Sequence, residues 1–246
     1  MKIIMPVLLI LVLVMVSISC KKDDPSPAST ADLPAVFTKK FASSVTMYVE
    51  GNFIVLKSNG LPNHKSPYFG STDSRYEAYN GTNANFSINP NSIKEQSLTF
   101  KIPLNPTEAS SKAATSLGPM GVSINGVPLF NQYAGPNQPL TNEINSFDQY
   151  NGHPQQSGQY HYHVEPLYIT ATTTKSGLIG FLLDGFPVYG PLEGTKTLTS
   201  ADLDTYHGHS AVTEDYPNGI YHYHITADSP YINGGKFFGT SGSVTQ

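Results

Sequence analysis

A four-residue pattern, Tyr-His-Tyr-His, occurs twice in this chain and constrains its fold more than any other feature. It lies within GQYHYHVE at 158–165 and within GIYHYHIT at 219–226. Alternation with a period of two is typical of a β-strand, in which successive side chains point to opposite faces. Each copy therefore predicts a strand that carries two tyrosines on one face and two histidines on the other.

The two copies belong to a longer repeat. GVSINGVPLF (121–130) matches GFLLDGFPVY (180–189), and FDQYNGH (147–153) matches LDTYHGH (203–209). The Asn-Gly and Asp-Gly steps predict tight hairpin turns with positive φ at both residues. Two repeats are too few for a solenoid. We therefore expect two pseudo-symmetric units, each a β-hairpin followed by a YHYH strand, sharing one core over about 118–166 and about 177–228.

The composition favours the same class of fold. The chain has 21 Gly, 19 Pro and 15 Tyr, and long stretches with helical periodicity are scarce. This predicts a mostly β protein with short helices. LTSADLDTY and LTNEINSFDQYNG each predict a short helix, after which His153 and His209 would lie in loops. The two YHYH strands are expected to lie close together, with their histidines in one shared cleft or in two separate sites.

The N-terminus predicts export. Lys2 precedes an apolar run that ends shortly before Cys20, the only cysteine of the chain. A basic start, an apolar stretch and small residues together are typical of a secretory signal. We expect a lipoprotein signal peptide over 1–19 and a lipid on Cys20. A plain membrane anchor and a signal without lipidation are the alternatives.

The residues after Cys20 indicate where the protein is delivered. Lys21–Asp24 resemble the surface-export signal of some Gram-negative lipoproteins, and a flexible linker rich in Pro and Ser is expected over 20–34. The expected location is the outer membrane of a Gram-negative bacterium, lipid-anchored and facing the cell exterior. Without residues 1–19 the chain has 13 basic and 18 acidic residues and no basic run, so we expect no nucleic-acid partner. The sequence names no protein or small-molecule partner.

Taken together, these motifs resemble the bacterial YHYH-domain family of exported proteins. The resemblance rests on both hairpins, FDQYNGH, LDTYHGH and both YHYH strands, together with SNGLPNHK (58–65) and NPNSIKEQSLTFKIP (89–103). It implies a single YHYH domain over 35–246. Because the family is functionally uncharacterised, the resemblance implies little about chemistry.

All eight histidines lie in these segments and are candidate metal ligands. A His-x-His strand places two imidazoles on one face, and a third from another segment completes a set. Three imidazoles suit zinc, copper or iron as divalent transition metals. The candidates are His64 from a loop, His153, His161 and His163 from repeat one, and His207, His209, His222 and His224 from repeat two. His207 is the additional histidine of repeat two, so that repeat is expected to bind metal more tightly.

Three carboxylates accompany the histidines. Asp148 and Asp204 recur at matched positions, where they would either orient an imidazole from behind or serve as turn residues. Glu165 follows His163 by two residues and would share its strand face, which makes it the best candidate for a base acting on metal-bound water. Thr226 stands in its place in repeat two.

Three functions therefore remain open. The first is a surface lipoprotein that binds a divalent transition metal. The second is a metal-dependent hydrolase or oxidase, although the chain contains neither H-E-x-x-H nor G-x-S-x-G. The third is a metal-free adhesion or ligand-binding module, in which Tyr and His form a hydrogen-bonded structural core. Metal content separates the third function from the other two, and loss of activity on chelation separates the second from the first.

Overall fold

The computed structural model describes residues 32–246, so the predicted signal peptide, Cys20 and most of the linker lie outside the described residues. Residues 32–246 contain two α-helices, α1 (Ala35–Lys40) and α2 (Leu167–Thr173), and two 3-10 helices, Glu143–Ser146 and Ser200–Asp202. The strands are β1 (Thr46–Glu50), β2 (Phe53–Ser58), β3 (Leu98–Pro103), β4 (Pro119–Ser123), β5 (Pro128–Phe130), β6 (Tyr133–Ala134), β7 (Gln138–Pro139), β8 (Gly152–Pro154), β9 (Tyr160–Tyr162), β10 (Leu178–Leu182), β11 (Pro187–Tyr189), β12 (Leu192–Glu193), β13 (Lys196–Thr197), β14 (Gly208–Ala211), β15 (Ile220–His224) and β16 (Ser243–Thr245).

An eight-stranded sheet contains both YHYH strands. Its order is β14-β15-β11-β10-β4-β5-β9-β8. The central strands β4 and β10 are antiparallel, and outward from each come its hairpin partner, a parallel YHYH strand and an antiparallel edge strand. The predicted mostly β class with short helices is confirmed. A twofold relation between the halves stays a prediction, with which this strand order agrees.

The two YHYH strands do not lie close together, and that expectation is wrong. Four strands, β11, β10, β4 and β5, separate β15 from β9. Each YHYH strand pairs in parallel with the second strand of its own hairpin. Parallel pairing requires a crossover connection, and the connection carries each YHYH strand outward, away from the centre of the sheet.

The two hairpin turns differ from the predicted two-residue turn. Only the glycine of each pair has positive φ, Gly126 at 85° and Gly185 at 83°. The amide of Gly126 donates to the carbonyl of Ser123, and the amide of Ser123 donates to the carbonyl of Val127. This pattern describes a longer loop that ends in a left-handed glycine. The expectation of positive φ at Asn125 and Asp184 is therefore wrong.

A second sheet completes the core. It has four strands in the order β1-β2-β3-β16, and its buried side chains share one hydrophobic cluster with those of the larger sheet. Helix α1 adds Phe37, whose ring stacks on Phe181 of β10 with centroids 4.3 Å apart. Within residues 32–246 no helix has the length and apolar character needed to cross a membrane.

The tyrosine face of each YHYH strand points into this core, as predicted. Tyr160, Tyr162 and Tyr223 are fully buried, and Tyr221 nearly so. Each edge strand places a glycine under the first tyrosine of its YHYH motif, where a Cβ at Gly152 or Gly208 would collide with the ring. The Gly-His step before each YHYH strand is thus explained by packing against tyrosine.

Candidate metal centres

Cross-strand pairing brings a third histidine to each YHYH strand. His153 of β8 lies directly opposite His161, and His209 of β14 lies directly opposite His222. Opposite residues of an antiparallel pair have Cβ atoms about 5 Å apart. The prediction that both histidines lie in loops is wrong, because each lies on an edge strand. The turn that contains Asn151, at a positive φ of 65°, reverses the chain so early that His153 already belongs to a strand.

The first cluster consists of His153, His161 and His163. The Nε2 atom of His161 lies 3.1 Å from Nε2 of His153 and 3.0 Å from Nε2 of His163. The opposite nitrogen of every ring, Nδ1, faces an oxygen. These contacts are His153 to Ser146 Oγ at 2.7 Å, His161 to the Gln159 carbonyl at 3.1 Å and His163 to the Asn131 carbonyl at 2.5 Å.

The oxygen partners determine which nitrogen carries the proton. A carbonyl oxygen can only accept, so His161 and His163 must donate from Nδ1. The Nδ1 atom of His153 faces Ser146 Oγ at 2.7 Å and the side-chain amide nitrogen of Asn89 at 3.4 Å, and its Nε2 atom lies 3.4 Å from an oxygen of Glu143, so these contacts allow its proton on either nitrogen. The Nε2 atoms of His161 and His163 carry a lone pair and no proton. These two acceptors face each other with no donor between them.

The second cluster repeats this arrangement and adds a carboxylate. The Nε2 atom of His209 lies 3.1 Å from Nε2 of His222 and 3.2 Å from Nε2 of His224. The Nδ1 atoms of His222 and His224 donate to backbone carbonyls, at 3.0 and 2.8 Å. An oxygen of Glu193, on β12, lies 3.2 Å from Nε2 of His209. All four ligand atoms lie within 4.8 Å of one another.

Burial keeps the most enclosed imidazoles of the two clusters neutral. Burial, with the neighbouring imidazole of His163 adding to it, lowers the pKa of His153 to about 3. Burial also lowers the pKa of His163 and of His224 to about 4, and holds the pKa of His161 well below its usual value. Metal binds the neutral imidazole, so near pH 7 these rings are already in the ligating form.

Sequence reasoning missed two glutamates. Glu193 joins the second cluster, and an oxygen of Glu143 lies 3.4 Å from Nε2 of His153 in the first. Burial raises the pKa of Glu143. One glutamate lies on a strand of a short ribbon and the other in a 3-10 helix, so they are not counterparts in the repeat. No periodic signal in the sequence marks either residue.

His64 lies apart from both clusters. Its Nδ1 faces the Lys65 carbonyl at 2.9 Å, and its Nε2 faces the hydroxyl of Tyr162 at 3.0 Å. Tyr162 belongs to the tyrosine face, on the opposite side of the strand from His161. With both ring nitrogens engaged there, His64 is not among the converging ligands. Burial lowers its pKa.

His207 also lies outside the second cluster. Its Nε2 faces Thr226 Oγ1 at 2.9 Å, and its backbone has a positive φ of 76°. Burial lowers its pKa to about 4. The residue shapes the turn before β14, as Asn151 does before β8. The expected contribution of His207 to metal affinity therefore has no geometric support, and Glu193 is the additional ligand of the second repeat.

Asp148 and Asp204 hold tyrosines and turns. Asp148 accepts from the hydroxyl of Tyr160 at 2.8 Å, and Asp204 accepts from that of Tyr221 at 3.0 Å. Each also accepts backbone amides of the turn that follows it. Burial raises the pKa of Asp148, which is almost fully enclosed. Asp148 and Asp204 were predicted either to orient an imidazole or to serve as turn residues, and these contacts are those of turn residues.

Glu165 does not face the first cluster. Strand β9 ends at Tyr162, so the alternation of faces does not extend to residue 165. The carboxylate of Glu165 accepts from the hydroxyl of Thr170 at 2.7 Å and lies 3.8 Å from Lys175 Nζ. It is therefore held by a side chain of α2, and the expectation that it shares the face of His163 is wrong.

Both clusters have the dimensions of a metal site. A tetrahedral ion held by nitrogens at about 2.0–2.1 Å separates those nitrogens by about 3.3 Å. The Nε2 separations from His161 in the first cluster and from His209 in the second run from 3.0 to 3.2 Å, and the ligand atoms of each cluster all lie within 4.8 Å of one another. The chemistry and the spacing together are those of imidazole sites for a divalent transition metal.

The fold and these clusters define a β protein with paired His-x-His strands. The chain matches the family model described as YHYH protein over residues 99–200 and again over 193–236. The two matches together extend over more than half of the chain, and the chain belongs to this family. No curated protein and no solved structure matches it.

Proposed function

We propose that this protein is a metal-binding domain with two separate histidine centres, each for one divalent transition-metal ion. The observation that carries the proposal is the convergence of three Nε2 atoms in each cluster. Two of the three in each cluster carry no proton, because the Nδ1 atoms of their rings donate to backbone carbonyls. A cation bound between the Nε2 atoms of a cluster is coordinated by lone pairs that would otherwise repel one another. Two such clusters in one chain, each formed by an edge strand and a YHYH strand, account for the repeated motif.

A metal-free core is the weaker explanation of the same contacts. Buried polar groups need partners, and a hydrogen bond needs a donor. Between the Nε2 atoms of His161 and His163 a donor would exist only if one ring were protonated. Burial lowers the pKa of both rings below the physiological range. A protonated imidazole is therefore a poor substitute for a metal ion at this place.

The ligand types narrow the choice of metal. The first cluster offers three imidazoles, and the second offers three imidazoles and a carboxylate. These sets suit zinc, copper and iron better than calcium or magnesium, which prefer oxygen ligands. Five strand-to-strand steps separate β15 from β9, roughly 24 Å at about 4.8 Å each. The two ions are therefore independent and do not form a binuclear site.

The proposal places this domain outside the cell. The apolar run before Cys20 and the acidic residues after it support a lipoprotein held on the outer membrane by an N-terminal lipid. An exported domain without a disulfide gains stability from bound metal, because binding to the folded state alone adds to the free energy of unfolding. Both the lipid anchor and the metal belong to the proposal.

Calorimetric titration of the chelator-stripped full-length chain with Zn²⁺ or Cu²⁺ tests the metal-binding function. We expect two equivalents to bind, and thermal unfolding to move to higher temperature as they bind. Variants that lack the histidines of one cluster should bind one equivalent. If the stripped chain takes up no ion and its unfolding temperature does not respond to metal, the proposed function is wrong.

A further inference from the structure

The two clusters differ in how they are enclosed. The side chain of His153 is 2 % exposed. In the same cluster the ring of Phe130 stacks on His161 with centroids 3.9 Å apart, and Phe147 lies parallel to His163 with centroids 5.8 Å apart. A cavity of about 170 Å³ borders this cluster, and Glu143 is its one charged lining residue.

The second cluster is open on one side. The side chains of His209 and Glu193 are 29 % and 41 % exposed. His222 and His224 line a cavity of about 200 Å³. This is much more than the 10–15 Å³ that a single water needs and less than the roughly 300 Å³ of a site for a drug-sized molecule. The cavity therefore has room for a small molecule that reaches the ligand atoms directly.

One cation, Lys40, lines the same cavity together with the carboxylates of Glu193, Glu214 and Asp215. Lys40 is held there by Asp215, whose oxygen lies 3.3 Å from its ammonium group, and by Glu214 at 3.5 Å. Asp215 also accepts from the hydroxyl of Tyr189 at 3.0 Å. The ammonium group of Lys40 is therefore positioned from two sides. The corresponding cavity beside the first cluster is lined by no lysine or arginine.

Glu193 is a ligand that can be replaced. It lies on the two-residue strand β12, next to Gly194, which has a positive φ of 58°. Three neutral imidazoles leave both charges of a divalent ion uncompensated, so the fourth ligand is favoured if it is an anion. A small anion that takes the place of Glu193 as the fourth ligand keeps the charge on the ion balanced, and Lys40 lines the cavity through which it would enter.

From these observations we infer that the second centre binds a small carboxylate-like anion directly on its metal ion, in place of Glu193, whereas the first centre is closed to such ligands. The inference rests on the proposed function, since it needs a metal ion at His209, His222 and His224. It assigns a ligand-binding role to the second centre and a structural role to the first.

The test uses the full-length chain loaded with Cu²⁺, and azide as the probe anion. Azide bound to Cu²⁺ gives a charge-transfer absorption band, and acetate should suppress that band by competition. We expect the band in the wild type and in the His161→Ala, His163→Ala variant. The His222→Ala, His224→Ala variant should lack it. A band that persists in this last variant, or that is absent from copper-loaded wild type, overturns the inference.

A single substitution tests the replacement of Glu193 without removing a histidine. Glu193→Gln should reach half of the maximal band at an azide concentration about tenfold lower, the effect of losing ~1.4 kcal/mol of competing ligand binding. Glu214→Gln removes the same charge from the rim of the cavity and should give a clearly smaller shift. Equal shifts in both variants would mean that charge alone acts, and would contradict replacement of Glu193.

The experiment distinguishes failure of the anion site from failure of the proposed metal-binding function. If the wild type binds two copper ions but shows no azide band, the proposed function stands and the anion site is wrong. If no copper binds at all, both are wrong.

Discussion

The Nε2 atoms of His161 and His163 lie 3.0 Å apart, while the Nδ1 atom of each ring faces a backbone carbonyl. The carbonyls fix the protons on Nδ1, so the two Nε2 atoms meet as two acceptors. His222 and His224 have the same two-sided arrangement in the second cluster, with His209 as the third ring. Backbone carbonyls thus prepare the four imidazoles of the two YHYH motifs for a cation before any ion arrives.

Each cluster should hold its own ion. Replacing His161 and His163 by Ala should remove one bound ion per chain and leave the other, and replacing His222 and His224 should do the same for the second cluster, because the clusters share no ligand. Metal analysis of each purified variant checks this. His64→Gln removes a histidine that lies outside both clusters and should keep both ions. Loss of both ions from either double variant would contradict independent sites.

That the second cluster binds metal more tightly than the first stays a prediction, but the ligand expected to cause the difference is another one. The additional ligand of the second cluster is Glu193, not His207. A carboxylate compensates part of the charge of the ion, so the second cluster is still expected to bind more tightly. The double variant at His222 and His224 should therefore lose the tighter of the two binding steps in a metal titration.

The strands and their faces could be predicted from sequence, whereas their order in the sheet could not. Alternation of Tyr and His determines which side chains share a face, and this is a local property. The separation of β9 from β15 depends on two parallel crossovers, and no local pattern encodes it. For the same reason His153 and the YHYH strand were grouped correctly by the repeat, but the pairing that brings them into contact was not foreseen.

Only those metal ligands that belong to the repeated motif could be predicted from the sequence. Six of its imidazoles belong to the duplicated motif, and the structure brings them together as two sets of three. Glu193 was missed because its counterpart in the ribbon of repeat one is Ala134, so the repeat does not mark the position as a ligand. His64 was included because it is a histidine in a family-like segment, although Tyr162 engages its Nε2 atom.

Acid should destabilise the fold partly through His64. Burial lowers its folded pKa below the unfolded value of 6.5, so the unfolded chain binds more protons in the interval between them. The contribution of His64 is fully present above about pH 6.5 and is lost as pH falls towards the lowered folded pKa, at a rate approaching ~1.4 kcal/mol per pH unit. His64→Gln does not titrate, so its unfolding free energy in urea should fall less steeply with acid than that of the wild type. Equal slopes would contradict a buried, neutral His64.

The tyrosine face should affect stability without affecting metal content. Tyr160→Phe removes a donor from the buried carboxylate of Asp148 and should cost about 1–3 kcal/mol of unfolding free energy. Tyr221→Phe is the matched change in repeat two, where Asp204 is exposed to water, and it should cost less. Denaturant unfolding and metal analysis of both variants check this. A loss of bound metal in either variant would show that the two faces are coupled.

The lipid anchor can be tested by one substitution. Cys20→Ala should abolish incorporation of labelled fatty acid and cleavage between residues 19 and 20, because Cys20 is the only thiol of the chain. Labelling of cells that express the wild type or the variant, followed by gel analysis, measures both effects. Normal lipid labelling of the variant would rule out Cys20 as the acylated residue.

Elemental analysis of the full-length chain, purified without added metal and without chelator, tests the central claim most directly. The two clusters predict two ions of zinc, copper or iron per chain, and the removal of these ions by a strong chelator should lower the unfolding temperature. A chain that is purified free of transition metal and whose unfolding temperature is unchanged by chelator and by added metal would contradict the account, and its histidines would then be structural.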